Sequence, residues 1–201
     1  MDPLVLASKS PRRREILERL GFPYIVHGAE IDERTGRKRS IRSFVIDIAK
    51  RKVAAVASNF SNGLIVGVDT VVWFQNRVLG KPEDKKEAHK FLKILNGNRH
   101  EVLSGITVKD VASGVGYSSV SITSVFFCKL NDEEIVRYIE SGEWFDKAGG
   151  YAIQGSAALF VKGIAGSYYN IMGLPVEKLY ELLKKFSYFN MQGNYRPVKQ
   201  V

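Results

Sequence analysis

A chain of 201 residues that is 45% hydrophobic is long enough to bury one sizeable core, and its formal charge of +9 reflects 30 Lys and Arg against 21 Asp and Glu. A single cysteine, Cys128, excludes an internal disulfide and a cysteine-based zinc site, and no run is long or apolar enough to span a membrane. No basic segment followed by an apolar stretch and a cleavage site opens the chain, so a cytoplasmic location is expected.

Leu4–Ala7 reads as a short strand, and a helix follows with Ser10 as N-cap, Pro11 in the first turn, Ile16, Leu17 and Leu20 on its apolar face and Gly21 as its stop. Arg12, Arg13 and Arg14 crowd the first turn. Unpaired N–H groups and the helix dipole favour acids there, and each cation is unfavourable by roughly 0.3–1 kcal/mol. Two other helices follow the rule: the one read from Pro82 opens with Glu83 and Asp84, and the one capped by Asn131 opens with Asp132, Glu133 and Glu134. An arginine-rich first turn is explained if N–H groups, dipole and guanidinium forks converge on a phosphate-like anion. The alternative is a solvated basic turn whose arginines point apart.

After an extended Tyr24–Val26, Glu30, Asp32 and Glu33 form an acidic knot without His or Cys, which suits a hard cation such as Mg²⁺ or is simply an acidic surface turn. The loop Arg34–Arg42 is strongly basic, and residues 1–52 hold 13 Lys and Arg against 7 Asp and Glu. With no aromatic residue for base stacking, this loop reads as solvated beside an anion site or as a non-specific nucleic-acid contact. A helix over about Ser43–Ser58 places Lys52 on the same face as Ile48 and Val56, so its amine either snorkels outward or enters a polar cleft.

Leu64–Val68 is a continuous apolar run, as expected of a central strand buried on both faces, with Asp69 at its end. A carboxylate there can hold a metal, orient water or cap a turn. The chain continues through Thr70 into Val71–Phe74, turns at Gln75–Arg77 and reaches Gly80-Lys81-Pro82, where the lysine precedes a helix that presents Ala88, Phe91, Leu92 and Leu95. Residues 101–110 and 116–130 suit a long antiparallel hairpin, with Cys128 as a buried thiol in an apolar run. The helix from Asp132 stops at Ser141-Gly142, and the polar segment Asp146–Gly155 is punctuated by glycines that let backbone approach a ligand. Short strands are read near 151–153 and 157–161, a helix from Gly173-Leu174-Pro175 to about Phe186, and a polar tail over 187–201. His89 reads as solvated, and Trp73 and Trp144 as packing residues. Interleaved strands and helices with hairpins indicate an α/β fold with a mixed sheet. An anion-binding helix start, lysines and carboxylates without transition-metal ligands suit hydrolysis of a polyphosphate with magnesium bridging substrate and protein.

In order and spacing, Ser8-Lys9-Ser10-Pro11-Arg12-Arg13, Ile31-Asp32-Glu33, Gly67-Val68-Asp69-Thr70, Gly80-Lys81-Pro82, Asp146–Tyr151, Ile153-Gln154-Gly155 and Gly173-Leu174-Pro175 resemble the Maf family of nucleotide pyrophosphatases over about residues 3–186. The resemblance implies an α/β, two-lobed fold around a mixed β-sheet with flanking helices, related to inosine-triphosphate pyrophosphatases, with residues 1–186 as one domain, the site in its cleft and a homodimer. It also implies cleavage of a nucleoside triphosphate between the α- and β-phosphates. By the same resemblance Asp69 takes a proton from the attacking water. Ser8, Ser10, Arg13, Lys52 and Lys81 hold the substrate, and Glu33 and Asp69 place a divalent cation, Mg²⁺ or Mn²⁺. Arg12, Thr70 and Gln154 match positions that mark the branch acting on dTTP and UTP, whereas relatives acting on 7-methyl-GTP typically carry tryptophan in place of Arg12.

Val68 and Ala152 replace a usual alanine and glycine, small changes expected to alter packing more than activity. The family's association with inhibition of septum formation offers a second reading, a nucleotide- or nucleic-acid-binding regulator without catalysis. The intact set Arg13, Lys52, Asp69 and Lys81 favours the enzyme, since pure binding would not require a carboxylate beside phosphates without a metal. An RNA-binding domain is disfavoured by the lack of an aromatic–basic pattern.

Overall fold

The computed structural model describes residues 3–33 and 40–189. Most of the basic loop and nearly all of the tail lie outside the described residues. The elements run β1 (Leu4–Leu6), α1 (Pro11–Arg19), β2 (Tyr24–Val26), α2 (Ile41–Ala57), β3 (Leu64–Phe74), β4 (Arg77–Leu79), α3 (Lys85–Leu95), β5 (Arg99–Asp110), β6 (Gly116–Phe127), α4 (Asp132–Ser141), β7 (Val161–Ala165), α5 (Tyr168–Met172) and α6 (Val176–Lys185). Single 3₁₀ segments occupy Ala148–Gly150 and Ser156–Phe160. The strands form one sheet in the order β2-β1-β3-β5-β6-β7, with β4 paired to β3. β1 is parallel to β2 and β3, whereas β3–β4 and β6–β7 are antiparallel, so the fold is α/β with a mixed sheet. Among the described residues no helix is long and apolar enough to cross a membrane.

Two compact units divide the chain: Met1–Asp69, Ser104–Ser121 and Gly173–Val201 make the first, and Thr70–Leu103 and Ile122–Met172 the second. In the first, Val5, Ala7, Val53, Val56 and Ile65 form a buried cluster that seats α2 on the sheet. Two glycines make that seat possible. A Cβ on Gly67 would lie 2.4 Å from the Ala49 carbonyl oxygen, and one on Gly105 would lie 2.3 Å from the Val45 carbonyl oxygen, so the helix backbone rests where side chains would otherwise stand. In the second unit Leu92, Val125, Ile135, Ile139 and Phe160 belong to one core that also encloses Tyr138 and Tyr151.

Several sequence expectations are corrected. Asp69 does not end its strand: β3 continues unbroken to Phe74. What ends near it is the parallel pairing with β1 at Val66, and antiparallel pairing with β4 begins at Val72, so the charge enters between the two pairings. α3 begins at Lys85 instead of Pro82, because the Asp84 carboxylate accepts the Glu87 N–H at 2.7 Å and takes the cap position. α2 starts at Ile41, where Ser40 and Ser43 exchange capping hydrogen bonds. Residues 151–153 and 157–160 are not strands. Tyr151 is aromatic and buried, which mimics a strand signal, but the Gly155 N–H closes a turn on the Ala152 carbonyl at 3.0 Å. The strand that pairs with β6 is β7. Cys128 is only half-buried; its N–H donates to the Phe160 carbonyl and its own carbonyl accepts from the Gly97 N–H.

Candidate active site

The first unit's site grows from the parallel β1–β3 pair. Leu6 is in register with Val66, so the chain leaving β1 at Ser8 and the β3 residue Asp69 emerge at the same end of that pair. Ser8 is buried, and its Oγ accepts the Ser10 N–H at 3.2 Å and the Arg13 Nη1 at 2.8 Å. The Arg13 guanidinium is buried as well, and its Nε donates to the Gly173 carbonyl at 2.8 Å, which ties the start of α1 to the Gly173-Leu174-Pro175 segment. Ser10 occupies the N-cap position with extended backbone but makes no side-chain cap, and no acid stands in the first turn. α3 and α4 have both an acid in the first turn and a side-chain cap. Arg12, in the first turn of α1, is half-buried.

Lys52 is the centre of charge. α2 carries it to β3, where Nζ donates to Asp69 Oδ1 at 2.9 Å and to the Val68 carbonyl at 3.2 Å. Glu33 Oε1 approaches the same Nζ to 2.8 Å. The Lys52 and Asp69 side chains are each only 8% exposed, whereas Glu33 is 55% exposed, so the cluster is buried on the sheet side and open on the Glu33 side. One helical residue earlier, Arg51 Nη2 donates to the Asp32 carbonyl at 2.9 Å and fixes the segment that presents Glu33.

The acidic knot is therefore divided. Glu30 pairs with Lys9 at 2.9 Å, which holds its carboxyl below the ordinary range, while Glu33 turns to Lys52. Among the described residues no three His, Cys, Asp or Glu side chains gather into a metal-holding group. Glu33 and Asp69 nonetheless bring two carboxylate oxygens around one cationic atom. Two hard oxygen donors fit Mg²⁺, which keeps waters and binds through one or two carboxylates.

In the second unit two motifs meet. The Gly149 N–H donates to the Gly80 carbonyl at 2.8 Å, and Lys81 Nζ pairs with Asp146 Oδ1 at 2.5 Å with both side chains substantially exposed. Gly149 has φ 70°, and a Cβ there would meet Val72 Cγ2 at 2.8 Å, so glycine is required on both counts. Thr70 is half-buried and Gln154 exposed. Tyr138, expected from the sequence only to be buried on its helix, and Glu143, which sequence reasoning passed over, hold the Gln154 segment. The available signal was the position of Glu143 directly after the Ser141-Gly142 helix stop.

The family model for Maf-like proteins matches residues 3–186. The chain belongs to this family. It is 45% identical over 94% of its length to a Pelotomaculum thermopropionicum protein named dTTP/UTP pyrophosphatase, of which it covers 98%. Proteins of the same name from Desulforamulus reducens and Bacillus anthracis are each 41% identical, with 92% and 93% of this chain and 97% of each relative aligned. Among solved structures, a HAM1 protein from Coxiella burnetii shares the fold with a TM-score of 0.50 and 15% identity, over 92% of this chain and all of that one.

Proposed function

We propose that this chain is a nucleoside triphosphate pyrophosphatase that hydrolyses dTTP and UTP to the nucleoside monophosphate and pyrophosphate. The observation that carries the reading is the buried Lys52–Asp69 pair, with Glu33 on the same ammonium, in a chain whose relatives bear that activity in their names. Asp69 accepts the proton of the attacking water; its Oδ1 is held by Lys52, which leaves the task to Oδ2. Arg13 and Lys52 balance phosphate charge, and Ser8 and Ser10 shape the turn that receives it. Glu33 and Asp69 would hold a divalent cation, Mg²⁺ or Mn²⁺, which when bound neutralises charge on the leaving pyrophosphate. Lys81 contributes a further phosphate contact, as the family resemblance implies.

Arg12, Thr70 and Gln154 select the base. Arginine offers only donors and suits the carbonyl edges of uracil and thymine, whereas glutamine offers an acceptor for the N3 proton and a donor for a ring carbonyl. The reading includes a cytoplasmic homodimer with no nucleic-acid partner.

Purified protein incubated with dTTP, UTP, CTP and 7-methyl-GTP, with and without EDTA, tests it. Expected are monophosphate and pyrophosphate by chromatography, loss of turnover in EDTA with recovery in Mg²⁺, and kcat/KM for dTTP and UTP ahead of the other two. Each buried polar group left unpaired by the wrong base is worth about 1–3 kcal/mol. Diphosphate and orthophosphate as main products would overturn the assignment, and equal rates would overturn the base selection.

A further inference from the structure

Gln154 stands at the third position of a tight turn, Ala152 to Gly155, which is closed by the Gly155 N–H on the Ala152 carbonyl at 3.0 Å. Both flanks of this turn are held by side chains from one short stretch of chain. On one side the Tyr138 hydroxyl, from α4, accepts the Ala152 N–H at 3.1 Å. On the other, Glu143 Oε2 accepts the Ser156 N–H at 2.8 Å and Oε1 accepts the Ser156 hydroxyl at 2.9 Å. A Cβ on Gly155 would lie 2.1 Å from Glu143 Oε2, so the glycine is what admits the carboxylate to the turn.

Glu143 is itself placed with care. α4 ends in the left-handed Gly142, φ 76°, which reverses the chain. The Glu143 N–H then donates to Ser141 Oγ at 3.3 Å, and the Ser141 hydroxyl donates to the Tyr138 carbonyl at 2.7 Å. One polar relay thus links the two anchors of the Gln154 turn.

We infer that Glu143 is a positioning residue for base recognition: its carboxylate fixes the turn so that Gln154 meets the pyrimidine edge in one orientation. The inference rests on the reading that Gln154 recognises the base. Two hydrogen bonds to an ionised acceptor are stronger than neutral ones, and a turn ordered before binding spares the ligand that ordering cost.

Four variants test it: Glu143→Ala, Glu143→Gln, Ser156→Ala and Gln154→Ala. For Glu143→Ala, kcat/KM on dTTP should fall about tenfold through KM while kcat stays within about twofold, since the reacting atoms are untouched. The dTTP:CTP ratio should shrink with it, and amide exchange over residues 152–158 should speed up. Glu143→Gln, whose amide can serve both the Ser156 N–H and its Oγ, should recover most of the ratio. Ser156→Ala keeps the N–H contact and should show a smaller loss in the same direction, which carries the test if Glu143→Ala folds poorly. A wild-type ratio and wild-type exchange in Glu143→Ala or in Ser156→Ala, with a reduced ratio in Gln154→Ala, would overturn the positioning role alone. An unchanged ratio in Gln154→Ala would bring down the Gln154 reading and the inference with it.

Discussion

Lys52 spends its ammonium protons on Asp69, Glu33 and the Val68 carbonyl, and this sets what each partner can do. A buried carboxylate without a counter-charge is unfavourable by several kcal/mol, and Lys52 supplies that counter-charge to Asp69. Asp69→Asn keeps the shape and removes the carboxylate proposed as the base. Turnover of dTTP should slow by roughly 10²–10⁴-fold. Glu33 still touches Lys52 Nζ at 2.8 Å, so the buried lysine keeps a counter-charge and the variant should unfold near the wild-type denaturant midpoint. A near wild-type rate would return Asp69 to a structural role. The sequence put Lys52 on the inward face of α2 correctly. It left open whether the amine snorkels outward, because that depends on a carboxylate 17 positions away.

At the scale of elements, the placement of α2 decides whether this cluster exists. Gly67 and Gly105 let the helix backbone rest against the sheet, with Ala49 and Val45 over the two glycines. In Gly67→Ala the new methyl would fall 2.4 Å from the Ala49 carbonyl oxygen and 2.7 Å from Val53 Cγ2, so helix or strand must move. Overpacking of this kind is unfavourable by typically about 1–3 kcal/mol. Because the displaced helix carries Lys52, activity should fall further than stability alone explains. Gly163→Ala, where a Cβ meets nothing within 4 Å, is the control and should stay within about 0.5 kcal/mol of wild type. Denaturant titrations beside initial rates check both variants, and equal effects would show that α2 does not depend on this close approach. α1 gives the converse lesson: its basic first turn was visible in the sequence, but the anchoring of Arg13 to Gly173 joins residues 160 positions apart.

For the whole molecule, the pH dependence of stability should bear the mark of His100 in the second unit. This side chain is buried, its Nε2 lies 2.8 Å from the Tyr151 hydroxyl, and among the described residues Nδ1 has no hydrogen-bond partner. Burial lowers its pKa from the ordinary 6.5 to about 4, because a charged imidazolium would be desolvated there. Between those values the unfolded chain binds a proton that the folded one refuses. Stability therefore rises with pH across this window and falls as pH drops through it, by about 3 kcal/mol in all. His100→Gln retains a polar partner for Tyr151 and abolishes that titration. Denaturation from pH 7 to pH 4 should show a flatter slope for the variant, and identical slopes would assign the acid sensitivity to other groups.

The sequence by itself determined the class of fold and most helices and strands, and it picked out Glu33, Lys52 and Asp69 as candidates, because periodicity, caps and motif spacing act over a few residues. It misread residues 151–160 as strands, since a buried tyrosine among small residues carries a strand-like signal whatever its backbone does. Tertiary structure alone decided the pairings: Glu30 with Lys9, Glu33 and Asp69 on one lysine, Lys81 with Asp146, and Glu143 on the Gln154 turn. Each pairing joins segments far apart in the chain. Their meeting depends on how closely backbone can approach backbone, which a glycine in a linear sequence permits without saying what will fill the space.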